Sequence, residues 1–404
     1  MAGKAANLAL IVVAQVMALA LWFSGTAAGP GMAREAAETA PGFQALLTAA
    51  VQAGFVAGTL ASAALSLPDR FDPRRVFAAA ALAGAAANGL ILLLPAGGTA
   101  AIAARFATGA ALAGVYPVGM KLAAGWADRG DAGWVIGLVV GGLTLGSASP
   151  HLVNALGGLD WRVTLGMASL SAVAAAGLIG LTRTGPRHAR AARFRPGAAL
   201  ALWRDRDKRL VTLGYLGHMW ELYAMWAWVG LYLSASFGAW RGVAEAAGAG
   251  ASLATFLVIA AGALGSVAAG WLADRLGRVR VTVGAMATSG ACCLLAGPAF
   301  GAHPAVTLAL CLLWGVAVVA DSAQFSASLA ELSEPALTGT MLTLQTCLGF
   351  ALTLLTIQLM PVLVEGGGWG LAFAVLAAGP SLGCAAMLRL GRSPAAARLA
   401  GGRG

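Results

Sequence analysis

Four ionisable side chains lie inside long apolar segments of this 404-residue chain, and they are its strongest candidates for chemistry: Arg105, His218, Glu221 and Asp321. A charged group is costly to place inside a bilayer, so each is a candidate for solute binding or proton transfer. A carboxylate can exchange a proton with a nearby imidazole. A guanidinium keeps its charge and can hold an anion through two parallel hydrogen bonds.

His218 and Glu221 belong to an aromatic-rich apolar segment near the middle of the chain. Together with Met225 and Trp228 they recur at i, i+3, i+7 and i+10, so the four share one helical face. A rise of ~1.5 Å per residue from residue 209 places Glu221 roughly 18 Å into the membrane, near the midplane. We predict that Glu221 and His218 couple transport to protons. The alternative is that these side chains only hold helices together.

Asp321 lies in a later apolar segment and shares a helical face with Gln324 and Glu331. It is about 15 Å from the inner end of that segment, level with the carboxylate of the earlier one. We predict that Asp321 joins the proton-coupling group and that Gln324 contacts solute. Glu331 lies at the inner mouth, where we expect an ion pair with Arg275 or Arg278.

Membrane-spanning helices must position these residues. Hydrophobic residues make up 59% of the chain and charged residues 10%, with a mean hydropathy of +0.80, whereas soluble domains carry about 25% charged residues. An apolar run of about 20 residues spans a bilayer. The pattern predicts an all-α membrane protein with twelve spans, near residues 6–29, 43–67, 75–95, 99–124, 133–156, 162–182, 209–235, 248–273, 280–300, 304–330, 337–364 and 368–390.

The basic residues set the predicted orientation. Of the 26 Lys and Arg residues, the loops assigned to the outer side hold only Arg34, Arg162 and Arg241. Arg105 lies within a span, and the others crowd at the inner side, as the positive-inside rule requires. The net charge of +10 therefore reflects topology rather than nucleic-acid binding. We predict a multi-pass protein of the cytoplasmic (inner) membrane with both termini in the cytoplasm.

A basic, proline-containing segment divides the chain near its midpoint. Residues 183–208 include Pro186 and Pro196 and read as a cytoplasmic linker between two six-helix bundles, residues 1–182 and 209–404. The linker either lies against anionic headgroups of the inner leaflet or forms a solvated hinge.

A charged turn occurs in equivalent positions of the two halves. The second copy, Gly270–Arg280, reads GWLADRLGRVR, and the first contains Asp69-Arg70-Phe71-Asp72-Pro73-Arg74-Arg75. The second copy resembles the G-x-x-x-D-R-x-G-R-x-R signature of the major facilitator superfamily; the first has Leu65 in place of the leading glycine. The resemblance implies roles in gating or conformational change for Asp69, Arg70, Gly270, Asp274, Arg275 and Arg278.

The same resemblance implies a monomer with the major facilitator fold, in which spans one, four, seven and ten line a central cavity. Arg105 begins an R-x-x-x-G sequence that resembles the span-four signature of proton-linked facilitators, where the arginine faces that cavity. Its alternative role is to bond backbone carbonyls of neighbouring spans. The predicted solute contacts on these spans are Arg105, Tyr116, Gln324, Trp22, Gln15, Trp228 and Met225.

The function these features favour is proton-coupled secondary transport of a small polar solute, with an anion favoured by Arg105. The chain has no phosphate-binding loop, nucleophile elbow or H-E-x-x-H, so we expect no enzyme activity, no cofactor and no resident metal. The run Val115–Lys121 loosely resembles the nitrate/nitrite and cyanate porter branch. The alternatives are proton-driven efflux of hydrophobic or cationic compounds, uptake of a transition metal, and a receptor or scaffold without transport.

Overall fold

The computed structural model describes residues 3–36, 42–128, 131–157, 160–188, 197, 199–243, 248–334 and 337–404. Apart from short 3₁₀ turns, the regular elements in these ranges are α-helices, in chain order α1 Lys4–Glu35, α2 Phe43–Leu65, α3 Leu67–Arg70, α4 Pro73–Leu90, α5 Thr99–Leu112, α6 Tyr116–Ala124, α7 Ala132–Leu156, α8 Trp161–Ile179, α9 Ala199–Arg204, α10 Arg206–Arg241, α11 Ala249–Leu276, α12 Arg278–Ala296, α13 Pro304–Ala320, α14 Ser322–Leu332, α15 Thr338–Leu376 and α16 Ala378–Gly391.

Within these ranges, ten helical segments are long and apolar enough to cross a membrane, which agrees with an all-α membrane protein. One of them, Thr338–Gly391, covers two predicted spans in 54 residues. The helix breaks inside it at Gly367 and Gly368, where Gly368 has a φ of +71°. The ten do not include α10, although it has 36 residues, because its tryptophans, tyrosines and charged groups lower its hydropathy. The count of twelve stays a prediction.

Each half of the chain packs mainly within itself. In the first half α1 packs on α7 and α8, α2 on α5, and α4 on α8; in the second, α10 packs on α15 and α16, and α12 on α13 and α16. The halves meet through α7 against α11 and α2 against α15. The exact limits of the predicted bundles stay a prediction, and much of the predicted linker 183–208 lies outside the described residues.

Small residues set the closest helix contacts. A Cβ atom on Gly109 of α5 would overlap the carbonyl oxygen of Val51 in α2. Along α7 and α11, a Cβ on Gly137 would lie 2.9 Å from the carbonyl oxygen of Ser266, whose hydroxyl donates to the Gly137 carbonyl at 3.2 Å. These positions use the close backbone approach that glycine allows between membrane helices.

Both ends of the chain lie at the same end of the helix assembly. Lys4 Nζ donates to Asp128 Oδ2 at 2.7 Å, and Arg187 pairs with the same carboxylate. These hydrogen bonds to Lys4 and Arg187 hold the pKa of Asp128 below its usual value. Near the C-terminus, Arg403 donates to the carbonyl oxygen of Asp274, in the second charged turn. We call this the loop end; its assignment to the cytoplasm stays a prediction.

Candidate functional site

A cavity of about 510 Å³ lies between the two halves near the loop end. It is lined by α2, α6 and α7 from the first half and by α10, α14 and α15 from the second. Its lining extends from Ser66 and Gly339, at the loop-end limits of α2 and α15, inward to Trp226 and Phe350. We call this the central cavity. Its volume is within the range of about 300–1,000 Å³ usual for small-molecule sites.

The lining of the central cavity is mostly aromatic and aliphatic, with hydroxyl groups but little charge. Among the described lining residues, Lys121 is the sole charged one. Its ammonium group donates to the carbonyl oxygen of Pro68 at 3.1 Å, near the loop end. The aromatic and sulfur-containing members are Tyr116, Met120, Tyr215, Met219, Tyr223, Trp226 and Phe350. Such a surface suits a solute with an apolar body and a polar group.

An aromatic cluster closes the central cavity at its inner limit. The ring centroid of Trp22, in the first half, lies 4.8 Å from that of Phe55, 5.5 Å from Phe350 and 6.0 Å from Tyr223. Phe350 and Tyr223 belong to the second half and are themselves 4.9 Å apart. We call these four rings the aromatic plug. Because they are buried and come from both halves, they separate the cavity from the opposite end.

A second, smaller cavity of about 110 Å³ lies beyond the aromatic plug, also between the halves. Its lining is more polar and includes Thr26, Thr48, His151, Asn154 and Trp228. The Asn154 amide donates to the hydroxyl of Ser252 across the two halves at 3.3 Å. The two cavities therefore lie on either side of one closed constriction.

Glu221 is buried inside the second half, where its carboxylate accepts hydrogen bonds from two neighbouring helices. Trp314 Nε1 donates to Oε1 at 2.6 Å and Cys293 Sγ to the same oxygen at 3.2 Å. Ser289 Oγ donates to Oε2 at 2.9 Å. The Glu221 carboxylate is thus a buried group held by three hydrogen-bond donors, and its charge changes when it binds or releases a proton.

His218 pairs with Asp321 rather than with Glu221. His218 Nδ1 lies 2.8 Å from Asp321 Oδ1, and both side chains are buried. The atoms are close enough for an ion pair, but their alignment is poor for a hydrogen bond, and neither His218 Nε2 nor Asp321 Oδ1 has a hydrogen-bond partner. Asp321 is the junction residue between α13 and α14, and its neighbour Ser322 lines the central cavity.

The face of α10 that carries the charged residues is turned into the second half. The side of α10 that lines the central cavity instead carries Tyr215, Met219, Leu222, Tyr223 and Trp226. His218 and Glu221 share one side of α10, but they contact α12, α13 and α14 rather than the cavity or each other. The predicted coupling group of Glu221, His218 and Asp321 is gathered in one region immediately behind the cavity wall.

Arg105 is completely buried in the first half and does not line either cavity. Its guanidinium donates to the carbonyl oxygen of Leu21 at 2.9 Å, to that of Trp22, and to Asn88 Oδ1 at 2.9 Å. Arg105 therefore bonds backbone carbonyls of a neighbouring span, which was the alternative to its predicted role in solute binding. Because Trp22 belongs to the aromatic plug, Arg105 fixes the backbone that carries the plug. In this conformation Arg105 contacts neither cavity, so solute binding by Arg105 stays a prediction.

The other predicted solute contacts are dispersed. Tyr116 lines the central cavity and Trp228 the smaller one, where Trp228 Nε1 donates to the Ile357 carbonyl at 3.2 Å. Gln15 is buried and donates to the carbonyl of Tyr116 at 3.2 Å. Met225 is buried and lines neither cavity. A direct solute contact by Gln15 or Met225 therefore stays a prediction.

Gln324 belongs to a polar network with the second charged turn. Arg278 donates to Gln324 Oε1 at 2.9 Å and to both oxygens of Glu331, at 3.0 and 2.6 Å. The expected pairing of Glu331 with an arginine of this turn is thus present. Arg275 packs over the ring of Trp271 at 3.6 Å. The network joins α12 to α14, the helix that begins beside Asp321.

The second charged turn also contacts the first half. A Cβ on Gly270 would lie 2.6 Å from the carbonyl oxygen of Gly133, near the start of α7. The Asp274 carboxylate packs against the same Gly133, since a Cβ there would lie 2.7 Å from Oδ1. A carboxylate at a helix N-terminus is stabilised by the helix dipole. These contacts are consistent with the predicted gating roles, which stay predictions.

The first charged turn is anchored within its own half. Asp72 accepts from the backbone N–H of Arg74 at 2.9 Å and pairs with its guanidinium at 2.6 Å, which holds the pKa of Asp72 below its usual value. Arg74 also donates to the carbonyl of Thr182 at 2.9 Å. Arg70 is exposed at the end of α3, and the side chain of Asp69 lies outside the described part of the chain.

Three partners of Glu221 were not foreseen in the sequence: Ser289, Cys293 and Trp314. Each lies in an apolar helix where it reads as a packing residue. The available signal was indirect, because a carboxylate at mid-depth requires donors from neighbouring helices. Among the described residues, no three His, Cys, Asp or Glu side chains are grouped so that they could hold a metal ion.

Comparison with known proteins identifies the fold. No protein-family model matches the chain, and no curated protein matches it. Among solved structures it is similar to a mutant of the nucleoside transporter NupG, with a TM-score of 0.71 and 14% identity over 95% of this chain and 99% of that one. It is also similar to the human organic anion transporter MFSD10, with a TM-score of 0.69 and 16% identity over 96% of this chain and 100% of that one.

Both proteins are transporters of the major facilitator superfamily. At this level of identity the similarity establishes the fold and does not transfer a substrate. The nitrate/nitrite and cyanate branch stays a prediction. The chain has the fold of these major facilitator transporters, as its second charged turn predicted.

Proposed function

We propose that this protein is a secondary active transporter that moves a small organic anion across the membrane by alternating access coupled to protons. The observation that carries the proposal is the central cavity between the two halves, open toward the loop end and closed by the aromatic plug. In this proposal the halves are six-helix bundles of a monomer in the cytoplasmic membrane. The distribution of basic residues among the loops supports a cytoplasmic location for both termini and for the cavity mouth.

The charge of the lining supports an anion over a cation. Lys121 is the sole charged residue among the described lining residues, and no carboxylate is among them. A cationic solute would enter an apolar cavity in which none of the described lining residues is a carboxylate that could pair with it, which is unfavourable. The name of MFSD10 describes an organic anion transporter, which is compatible with this choice. The apolar lining also revises the expected solute from small and polar to small and amphipathic.

The buried carboxylates of the second half support proton coupling. Glu221 with its three donors and the His218–Asp321 pair are the groups there whose charge can change with a proton. Asp321 lies at the junction of α13 and α14, and the adjacent residues Val319 and Ser322 line the central cavity. A change of charge at the junction would therefore shift the cavity wall, which is the connection that coupling requires.

The test is uptake into proteoliposomes containing the purified protein, with and without an imposed pH gradient. The probes are an aromatic carboxylate (1-naphthoate), a lipophilic cation (ethidium) and a divalent transition metal (Mn²⁺). We expect accumulation of the carboxylate only when the gradient is present and dissipation by a protonophore. Accumulation of ethidium or Mn²⁺ instead would overturn the anion assignment, and transport that ignores the gradient would overturn the coupling.

Efflux of hydrophobic compounds is the second candidate, because the aromatic lining would also accept an uncharged apolar molecule. The two candidates differ in their dependence on Lys121. Replacing this residue by Gln should impair transport of an anion but leave transport of a neutral compound such as 1-naphthalenemethanol unchanged.

A further inference from the structure

We propose that Trp314 is a positioning residue for proton coupling, which transmits the charge state of Glu221 to the wall of the central cavity and to the contact between the two halves. The inference rests on the proposed function, because it takes Glu221 as a group that binds and releases a proton. It goes beyond that function by naming the side chain through which the proton acts on the fold. The observations that carry it are the hydrogen bond between these two side chains and the packing of α13 against its neighbours.

Two side-chain contacts join α13 to the charged face of α10. Trp314 Nε1 donates to Glu221 Oε1 at 2.6 Å. At the other end of α13, Asp321 Oδ1 lies 2.8 Å from His218 Nδ1. Trp314 and Asp321 are seven residues apart, so both project from one side of α13. The position of α13 against α10 therefore depends on two pairs, each of which contains a carboxylate whose charge can change.

Among the three donors to the Glu221 carboxylate, Trp314 depends most on its charge. The indole nitrogen carries one hydrogen and accepts none, and that hydrogen goes to Glu221. The Ser289 hydroxyl, by contrast, also lies 3.1 Å from the Met286 carbonyl oxygen, and the Cys293 thiol is a weak donor. Hydrogen bonds to an ionised group are roughly twice as strong as those between neutral groups, so protonation of Glu221 weakens its hold on Trp314.

The proton can be accommodated on the carboxylate oxygen that does not contact Trp314. A proton on Glu221 Oε2 would be donated to Ser289 Oγ, 2.9 Å away, once the Ser289 hydrogen turns to the Met286 carbonyl oxygen. Oε1 then still accepts from Trp314, but as part of a neutral acid. A glutamine places its NH₂ group and its carbonyl oxygen at the same two positions, so Glu221→Gln reproduces the contacts of the protonated form.

The ring of Trp314 is held so that a change in its hydrogen bond is passed to α13. The side chain is completely buried, and its ring centroid lies 5.0 Å from that of Phe373 with an interplanar angle of 90°. A ring packed in this way cannot turn without displacing its neighbours. Val319 lies five residues further along α13, about 7.5 Å along the axis, and lines the central cavity. A shift of α13 therefore reaches the cavity wall.

α13 also packs closely on α11, which contacts the first half. A Cβ atom on Gly315, next to Trp314, would overlap the carbonyl oxygen of Val258 in α11. A Cβ atom on Gly265 of α11 would overlap the carbonyl oxygen of Val316. Backbones that approach this closely leave little space for independent movement. Because α11 in turn packs on α7 of the first half, the position of α13 also affects the contact between the halves.

The other groups around Glu221 whose charge can change belong to four helical segments. In the described part of the chain they are His218 on α10, Asp321 at the junction of α13 and α14, Cys292 and Cys293 on α12, and Cys384 on α16. A free thiol is mostly neutral below about pH 8, so the three cysteines add no charge at neutral pH. The variable charge is therefore that of Glu221 and of the His218–Asp321 pair, and both are linked to α13.

A double-mutant cycle that needs no substrate tests the proposal. Ser326 of α14 lines the central cavity, and in Ser326→Cys the rate of alkylation by a membrane-impermeant sulfonated maleimide reports how open the cavity is. The protein is reconstituted in lipid nanodiscs at neutral pH, and the labelling of the protein without this cysteine is subtracted. The bond between Trp314 and Glu221 is present while the cavity is open toward the loop end, so weakening the bond should favour closure and slow the alkylation.

Glu221→Gln should slow the alkylation about fivefold or more when Trp314 is present. In Trp314→Phe, which keeps a ring against Phe373 but has no N–H, the same change should alter the rate less than about twofold. Trp220→Phe is the matched control, because Trp220 Nε1 donates to the Val375 carbonyl oxygen at 3.2 Å and not to a carboxylate; there the full effect should remain. An equal effect in Trp314→Phe would overturn the proposal, as would the lack of any effect when Trp314 is present.

Two further measurements decide the question if Trp314→Phe does not fold. Phe373→Leu leaves the indole N–H in place but removes the ring that supports it, so the effect of Glu221→Gln should become smaller; an unchanged effect would refute transmission through a fixed ring. The second measurement compares the unsubstituted residue with Glu221→Gln at a series of pH values, which cancels the pH dependence of the maleimide reaction. The two rates should converge as the pH falls, because protonation produces the form that glutamine reproduces. A constant ratio of the rates would refute the role of the charge.

The two proposals fail in different ways. If Glu221→Gln has the same effect in Trp314→Phe while a probe is accumulated in proteoliposomes under a pH gradient, the role of Trp314 is wrong and the transport function stands. If the cycle gives the expected result but no probe ever crosses the membrane, the link from Glu221 through Trp314 to the cavity stands and the transport function is wrong.

Discussion

Replacing Glu221 by Gln should separate proton coupling from structural support. The carboxylate uses Oε1 to accept from Trp314 and Cys293, and Oε2 to accept from Ser289. A glutamine can place its carbonyl oxygen at the first position and its NH₂ group at the second. The Ser289 hydroxyl can then accept from that NH₂, because its own hydrogen can turn from residue 221 to the Met286 carbonyl oxygen, which lies 3.1 Å away.

All three contacts therefore survive in Glu221→Gln, and we expect the free energy of unfolding to change by less than about 1 kcal/mol. Glu221→Ala is the contrasting variant. It leaves the buried Trp314 N–H without an acceptor, which costs about 1–3 kcal/mol, and it also creates a void. Thermal unfolding of the purified variants in detergent should therefore show a lower midpoint for Ala and a nearly unchanged midpoint for Gln.

In gradient-driven transport, unlike in thermal unfolding, Glu221→Gln and Glu221→Ala should behave alike. In proteoliposomes both variants should fail to accumulate solute under a pH gradient, because neither has a titratable group at this position. Glu221→Gln should retain solute exchange when the same solute is present on both sides and no gradient is imposed. Gradient-driven accumulation by Glu221→Gln at the wild-type level would refute the assignment of Glu221, whereas loss of exchange together with instability would show a purely structural role.

Three further outcomes follow from packing and charge. Gly109→Val should abolish monodisperse folded protein, because α2 and α5 cannot then approach each other. Gly166→Ala is the control and should unfold at the wild-type temperature, because its added Cβ would lie 4.0 Å from Leu92, an ordinary contact distance. Arg278→Lys should destabilise the protein by about 1.5–3 kcal/mol in thermal unfolding, because the paired bonds to Glu331 are lost; an unchanged midpoint would contradict this. The Asp128 carboxylate has a lowered pKa, so its stabilising effect is present above its ordinary value of 3.8 and is lost as the pH falls through the lowered one. The unfolding midpoints of wild type and Asp128→Asn should therefore differ at pH 7 and converge at low pH.

The membrane fold was readable from the sequence because its signals are local. Apolar length, alternating basic loops and the charged turn at Gly270–Arg280 each depend on a short stretch of chain. The pairing of Glu331 with Arg278 was also predictable, since both lie at the same end of adjacent helices. The hydropathy pattern was less informative for α10, where aromatic and polar residues conceal a helix of 36 residues.

The orientation of the charged face could not be derived from spacing alone. Helical periodicity places His218 and Glu221 together, but α10 has large apolar or aromatic residues on its other faces as well. Either face could therefore have lined the cavity. Only the positions of Ser289, Cys293 and Trp314 on other helices determine that Glu221 turns inward. Arg105 shows the same limit, since its carbonyl partners depend on how α1 crosses α5.

The contact between α7 and α11 has a consequence for how such a protein moves. Where Gly133 faces Gly270 and Gly137 faces Ser266, backbones touch with few interlocking side chains, so little must be disengaged when one helix rotates against the other. The central cavity extends to the loop-end limits of α2 and α15, on the opposite side of the interface. Opening and closing would then be a rotation about the contact between α7 and α11, in which the contact between α2 and α15 separates and re-forms.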